Sequence, residues 1–344
     1  MTAVLVDPVR LGRQRRARRY RTLLIVVSAA VLGVFAVSLM VGNTVYSPTD
    51  VVRVLLGEQV PGANFTVGEL RLPRATLGLL AGISFGMAGV TFQTMLRNPL
   101  ASPDVIGISA GASAAAVVGI VVFSLNETTV SLLALAAALV TAGTIYLLSH
   151  RGEFSGIRLI LIGIGIAAML ESVVSYVLSR AAQWDLQVAM QWLAGSLNGA
   201  GWSRVAPVAL ACVIAVPLLL VLQRPLGALR LGDDAASALG VGVQRTRLGL
   251  ILAAVCLLAV ATASTGPIAF VAFMSGPIAA RIWGPGSKLL LPAGLVGALL
   301  VLSADFLGQF ALDNRYPVGV ITGVLGAPYL VYLLIRMNRN GGSI

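Results

Sequence analysis

The sequence predicts an all-α protein that crosses a membrane about ten times. Of its 344 residues, 58% are hydrophobic and 11% are charged, and the mean hydropathy is +0.93. Soluble domains carry about 25% charged residues. Apolar runs long enough to span a bilayer as helices recur along the whole chain, separated by Gly, Pro or charged residues. A soluble core cannot bury so much apolar surface, so we expect lipid to cover it.

Ten apolar runs are expected to be the membrane helices. Their approximate centres are Leu32, Gly82, Val117, Ala138, Ala167, Ala211, Val255, Phe273, Leu299 and Val331. Near Phe273 the pairs Gly266-Pro267 and Gly276-Pro277 interrupt the pattern. A broken or re-entrant helix, buried in protein, is expected there.

The N-terminus predicts an uncleaved first helix. Seven arginines between Arg10 and Arg21 precede an apolar run over 23–41. A signal peptide has a shorter apolar region and a small-residue cleavage site. We therefore divide the chain into a basic cytoplasmic tail (1–22), a membrane domain (23–337) and a cytoplasmic C-terminal tail (338–344). The basic tail is expected to be solvated and to touch anionic lipid.

The net charge of +11 would suggest a nucleic-acid partner on a soluble chain. Here it fits an arginine bias toward cytoplasmic loops. With the N-terminus inside and ten spans, 18 of the 24 basic residues are cytoplasmic and six are external. The external six are Arg53, Arg71, Arg74, Arg180, Arg204 and Arg315. Charge therefore predicts that both termini are cytoplasmic and that no nucleic acid is bound.

Three connections between spans are long enough to carry structure of their own. Segments 43–70 and 179–201 are predicted outside; the tryptophans in and beside the second, Trp184, Trp192 and Trp202, are interfacial anchors or a platform for a partner. Loop 223–247 is predicted inside. Its Gly232-Asp233-Asp234 resembles a helix start, and Gly240 closes a short helix over 235–239. A plain surface turn is the alternative.

Several spaced motifs cover nearly the whole chain after residue 50. They are Arg71-Leu72-Pro73-Arg74, Gln93, Arg97 to Ala101 with Pro103, Gly107 with Gly111-Ala112, Trp192 with Gly195-Ser196-Leu197, Leu231-Gly232 through Ala238-Leu239-Gly240-Val241, Gly266 to Val271, Ala304-Asp305, Pro317 to Thr322 and Gly326-Ala327-Pro328. Together they resemble the permease subunits of ABC importers for iron–siderophore complexes, heme and cobalamin. Two positions depart from that family: Ile278 stands where it usually has His, and Arg315-Tyr316-Pro317 where it usually has Glu-Leu-Pro.

The resemblance implies a type II ABC importer permease in the bacterial cytoplasmic membrane. It implies a second permease subunit, identical or paralogous, two ATP-binding subunits on the cytoplasmic face, and an external solute-binding protein. The expected cargo is a ferric siderophore, with heme or cobalamin as alternatives.

The resemblance also implies roles for residues at matching positions. Docking of the binding protein is assigned to Arg71 and Arg74 by their matching positions. Arg315, where the chain departs from the family pattern on the predicted external face, is added as a third docking candidate. A cytoplasmic gate falls at Arg97, Asn98, Pro99 and Leu100. The residues expected to contact the ATPase are Leu231, Gly232, Asp233, Asp234, Ala238, Leu239, Gly240 and Val241. Physical reasoning supports docking, because an arginine fork suits carboxylates. Snorkelling of Arg71 and Arg74 to lipid phosphate is the alternative.

The chain carries little chemistry of its own. It has no Walker A segment, so it is not expected to be the ATPase. The single histidine, His150, has no partner at metal-ligand spacing and is expected to be a helix-end cation; no metal or cofactor is expected. Cys212 and Cys256 lie within apolar runs and are expected to be small hydrophobes.

Two carboxylates, Glu171 and Asp305, lie within apolar runs. Intramembrane charges are functional candidates because burying them is costly. They could couple transport to protons, or they could be structural. A proton-coupled secondary transporter is therefore one alternative, and a signalling or scaffold membrane protein is another.

Overall fold

The computed structural model describes residues 3–103, 106–149, 156–284, 288–311 and 313–339, and within these residues it contains helices and no strand. His150 and residues 340–344 of the predicted C-terminal tail lie outside the described part. In chain order the helices are α1 (Ala3–Met40), α2 (Pro48–Leu55), a π-helical segment (Asn64–Arg71), α3 (Leu72–Met95), α4 (Ile108–Val121), α5 (Glu127–Ser149), α6 (Gly156–Ser179), α7 (Gln183–Leu193), α8 (Trp202–Val221), α9 (Gln223–Leu229), α10 (Asp233–Ala238), α11 (Val243–Thr265), α12 (Val271–Trp283), α13 (Leu290–Phe310) and α14 (Val318–Arg339).

Each of the ten predicted centres lies within a different helix. Among the described residues, eight of these helices are long and apolar enough to cross a membrane, and the other two, α4 and α12, have 14 and 13 residues. The interruption predicted near Phe273 is confirmed, because α11 ends at Thr265 and α12 begins only at Val271. Pro277 lies inside α12. The all-α, multi-span fold class is therefore confirmed.

Helix α3 forms the centre of the bundle and packs on α8, α11, α12 and α13. In its apolar window 78% of the residues are buried, against 17% in α1 and in α6. The seam between α3 and α13 is built from small residues. A Cβ on Gly82 would lie 2.5 Å from Ala298 Cα, and one on Gly86 would lie 2.2 Å from Ala293 O. Small residues let helix backbones approach closely within membranes.

The two ends of the bundle carry different short elements. At one end, called here the Asp305 end, lie α2, the π-helical segment, α7 and the start of α3. At the other, called the Asp233 end, lie the chain after α3, helices α9 and α10, and the start of α11.

The elements predicted for the connecting segments are present. The two segments predicted to be external contain α2, the π-helical segment and α7. The short helix predicted over 235–239 is confirmed as α10, and Gly240 follows it with a φ of 80°. Helix α1 begins at Ala3, so it extends through most of the predicted basic tail.

Candidate functional site

A partly buried ion pair joins α3 to α13 at the Asp305 end. Arg74 Nε donates to Asp305 Oδ2 at 2.8 Å, and Arg74 Nη2 donates to Asp305 Oδ1 at 2.7 Å. The third guanidinium nitrogen, Nη1, donates to Asn198 Oδ1 at 2.9 Å. The side chains of Arg74 and Asp305 are 22% and 12% exposed. Two residues with separate predicted roles, docking and intramembrane charge, therefore form one bidentate pair.

Arg71 is held by backbone carbonyls at the end of α1. Its Nη1 donates to Leu39 O at 2.9 Å and to Met40 O at 3.0 Å, and its Nη2 donates to Thr44 O at 2.7 Å. The guanidinium carbon also lies 5.3 Å from the centroid of the Tyr46 ring. Carbonyls without intrahelical partners at a helix C-terminus favour a cation. Arg71 therefore caps the C-terminus of α1.

Arg315 is the most accessible of the three predicted docking arginines. Its side chain is exposed, and its Nη2 donates to Asn43 Oδ1 at 3.2 Å. Arg71, Arg74, Asp305 and Arg315 all line one cavity of ≈ 430 Å³. We call this cavity the arginine basin. With three guanidinium groups against one carboxylate, it carries excess positive charge and suits an acidic ligand or protein surface.

Three motif segments that are far apart in sequence meet beside this basin. Ser196 N donates to Thr265 O at 2.7 Å, and Gly319 N donates to Gly195 O at 3.1 Å. A Cβ on Gly195, whose φ is +70°, would lie 2.3 Å from Pro267 O, and one on Gly319 would lie 1.9 Å from Ala194 O. The motifs at 192–197, 266–271 and 317–322 thus form a single junction. Asn198, whose Oδ1 accepts from Arg74 Nη1, follows directly after the first of these motifs.

At the Asp233 end a second charge cluster joins three segments. Arg247 Nη2 in α11 donates to Asp233 Oδ1 at 3.0 Å and to Oδ2 at 2.9 Å. Arg97, directly after α3, brings its Nη2 to 3.7 Å from Asp233 Oδ1. The Arg247 side chain is 6% exposed, whereas those of Arg97 and Asp233 are 51% and 42% exposed. Predicted gate and predicted coupling helix are therefore in contact.

The predicted gate forms a tight turn after α3. Asn98 N donates to Gln93 O at 3.0 Å, and Asn98 Oδ1 accepts from Leu100 N at 2.9 Å. Arg97, Asn98 and Pro99 line a cavity of ≈ 260 Å³ between α3 and α12. The turn is thus a defined corner beside an open cavity.

The motif residue Gln93 has a structural role next to that turn. Its Nε2 donates to Phe273 O at 2.9 Å and fixes α3 to the first turn of α12. A Cβ on Gly276 would lie 1.9 Å from Gln93 Oε1, so α12 approaches through a glycine. Ile278, one of the two departures from the family pattern, is partly buried on the same helix and packs against the core.

The surface around α10 combines apolar and charged residues. Leu231 and Leu239 are 67% and 65% exposed on either side of the helix. Asp234 is exposed between them, whereas Ala236 is buried. Exposed leucines rimmed by polar residues mark protein contact surfaces. The remaining predicted coupling residues, Gly232, Ala238, Gly240 and Val241, lie in or beside this surface.

The second predicted intramembrane charge lies apart from both ends. Glu171 is exposed on α6, and within the described part of the chain it has no ion-pair or hydrogen-bond partner. Sequence reasoning missed two residues that organise the clusters, Asn198 and Arg247. Asn198 follows a recognised motif directly, and Arg247 begins an apolar run, but neither position reveals its partner.

Comparison with known proteins gives the chain its family. The model of the FecCD transport family matches residues 23–336. The ferric enterobactin transport system permease protein FepG of Escherichia coli (strain K12) is 40% identical over 320 residues, which cover 92% of this chain and 96% of FepG. The achromobactin transport system permease protein CbrC of Dickeya dadantii (strain 3937) is 37% identical and covers 97% and 98% of the two chains.

A solved structure has the same fold. It is described as an inward-facing conformation of a putative metal-chelate type ABC transporter, with a TM-score of 0.82 and 24% identity over 92% of this chain and 100% of that chain. The family model extends across all ten helices at the predicted centres, from within α1 to within α14. The chain therefore belongs to the FecCD transport family.

Proposed function

We propose that this chain is the membrane permease of a binding-protein-dependent ABC importer that moves a ferric siderophore into the cytoplasm. One observation carries the proposal: α3 runs from the arginine basin at one end of the bundle to the turn at 97–100, called here the gate turn, which contacts α10, called here the coupling helix, at the other end. A recognition surface and an energy-coupling surface at the two ends of one central helix suit a transport subunit. ATP hydrolysis then belongs to separate subunits.

The cargo is proposed from the relatives. FepG is named for ferric enterobactin, CbrC for achromobactin, and FhuG of Bacillus subtilis (strain 168), 35% identical, for iron(3+)-hydroxamate. We infer a ferric siderophore as the cargo, because ferric enterobactin and iron(3+)-hydroxamate are both iron chelates. Heme or cobalamin is the alternative cargo within the same mechanism.

The assembly is proposed to contain two permease subunits, two ATP-binding subunits and one solute-binding protein. The exposed leucines and Asp234 around α10 support an ATPase contact there. The exposed apolar faces of α6 and α14 are available for lipid or for the second permease. The arginine bias supports the Asp305 end outside, with both termini in the cytoplasm of a bacterial inner-membrane protein.

Docking of the binding protein is proposed at the arginine basin, with Arg315 as the accessible contact. Arg71 and Arg74 are engaged by Thr44 and Asp305 and by other intrachain groups, so their first contribution is to shape the basin. Their remaining N–H groups can still meet acidic residues on a partner. Stable docking then uses Arg315 together with the positive potential of all three.

The test of the importer is uptake into proteoliposomes. The permease, its ATP-binding subunits and its binding protein are reconstituted, and ⁵⁵Fe is offered as the enterobactin, citrate and ferrichrome complexes. We expect uptake of at least one complex that requires internal ATP and the binding protein. Uptake driven by a proton gradient without ATP would refute the importer and support a secondary transporter.

The test of docking uses charge reversal at an accessible position. Arg315→Glu should weaken stimulation of ATP hydrolysis by the binding protein about tenfold, because reversing a rim charge acts on association. Arg180→Glu is the control, since Arg180 is also exposed at the Asp305 end but lies outside the basin. Equal stimulation in both variants would remove the docking role of Arg315.

A further inference from the structure

The Asp233 carboxylate is shared by arginines from two other segments. Arg247 of α11 binds both of its oxygens at 2.9 and 3.0 Å, and Arg97 of the gate turn lies 3.7 Å from Oδ1. Asp233 itself is the first residue of α10. One side chain therefore links the coupling helix to a membrane helix and to the gate.

The two ion pairs that Asp233 forms, with Arg247 and with Arg97, differ in strength. Arg247 is almost fully buried, and the loss of Asp233 would leave its charge without that counter-ion. The Arg247–Asp233 ion pair is therefore costly to break. In the ion pair with Arg97, both side chains are about half exposed, and the distance of 3.7 Å from Arg97 Nη2 to Asp233 Oδ1 is too long for a hydrogen bond. Such a pair adds little stability and can form and break readily. Arg247 thus anchors Asp233, and Arg97 is the adjustable contact.

The backbone has a positive φ at Arg97 and at Gly232, the residue before Asp233. Arg97 has a φ of +51°, which is uncommon for a residue with a side chain. Gly232, directly before Asp233, has a φ of +109°, and a Cβ there would lie 3.8 Å from Arg97 Nη1. Arg97 is therefore a strained residue, whereas Gly232 adopts its positive φ without steric cost, and the two turns bring the guanidinium to the start of α10.

We propose that Asp233 is a positioning residue that transmits movement of α10 to the gate turn through Arg97. When an ATPase subunit displaces α10, the attraction between Asp233 and Arg97 changes, and this biases the position of Arg97 and of the adjoining Asn98 and Pro99. Those residues line the ≈ 260 Å³ cavity at the end of α3. The inference rests on the proposed function, because it needs an ATPase that moves α10.

The test measures gate accessibility in the reconstituted permease–ATPase complex. Leu100→Cys, in a background with Cys212 and Cys256 changed to Ala, is labelled with a membrane-impermeant maleimide in the nucleotide-free and ATP-vanadate states. In complexes that retain ATP hydrolysis, we expect Arg97→Gln to reduce the change in labelling rate between the two states about fivefold. Arg97→Lys should preserve it, because a point charge suffices for a contact of 3.7 Å.

The control is Arg224→Gln, which removes one exposed positive charge from α9 in the same loop. It should label like the unsubstituted complex. A second variant, Asp233→Asn, also removes the counter-ion of Arg247 and lowers stability, so it is compared only in complexes that still hydrolyse ATP. There, adding it to Arg97→Gln should cause no further loss of the nucleotide response. Full nucleotide response in Arg97→Gln, or an equal loss in Arg224→Gln, would overturn the inference. A complex that hydrolyses no ATP without any substitution would instead refute the importer, and the inference would fall with it.

Discussion

Replacing Asp305 with Asn removes the carboxylate that binds Arg74 through two hydrogen bonds. Removing one partner of a fully buried ion pair costs about 3–5 kcal/mol. The two side chains are 22% and 12% exposed, and Arg74 keeps its bond to Asn198, so we expect about 2–3 kcal/mol of lost stability. Arg74→Gln should cost a similar amount, since it strands Asp305.

The assay is thermal unfolding in detergent, followed by the fluorescence of the four tryptophans. The single variants should melt about 5 °C lower. The double variant should lose little more than either single one, because both remove the same interaction. Arg53→Gln is the control, since its pair with Glu58 is more than half exposed and should leave the melting temperature unchanged. Additive losses, or single variants that melt like the control, would refute the reasoning.

Three further predictions address packing, charge and coupling. Gly89→Ala in α3 should abolish the yield of monodisperse protein, because its Cβ would lie 1.8 Å from Ala272 O, whereas Gly143→Ala, with nothing within 4 Å, should purify normally. Glu171→Gln should leave ATP-driven uptake of ferric siderophores unchanged, because the charge is exposed and unpaired among the described residues; lost uptake would restore the proton-coupled alternative. Leu239→Glu should weaken co-purification of the ATP-binding subunit about tenfold by charging an exposed apolar contact, and undiminished co-purification would contradict the role of α10.

The helices were predictable because lipid imposes a simple rule on sequence. Each span needs a long apolar run, and Gly or Pro marks its interruption, so even the short α12 was located. The helix α10 was predictable from acids at its start and a glycine at its end. The extension of α1 into the arginine-rich segment was less evident. Arginine is a good helix former, and the apolar part of α1 provides the nucleus.

The contacts within the two charge clusters were not predictable from one sequence. Arg74 and Asp305 are 231 positions apart, and each had a separate explanation from its local surroundings. Arg247 looked like an ordinary loop cation before an apolar run. Local patterns define which segments form helices, whereas ion pairs between segments depend on how the helices pack. The predicted roles in docking, gating and coupling therefore await the experiments above.

The glycine seam between α3 and α13 limits how this protein can move. At Gly82 and Gly86 the two backbones touch without intervening side chains, so no rotamer change can absorb a slide of one helix along the other. Helices α3 and α13 must travel as one rigid unit, about 36 Å long in the case of α3. Any opening of a path therefore has to occur at the loosely packed helices such as α1, α6 and α14. Distances measured between labels on α3 and α13 at the seam should stay constant throughout the transport cycle.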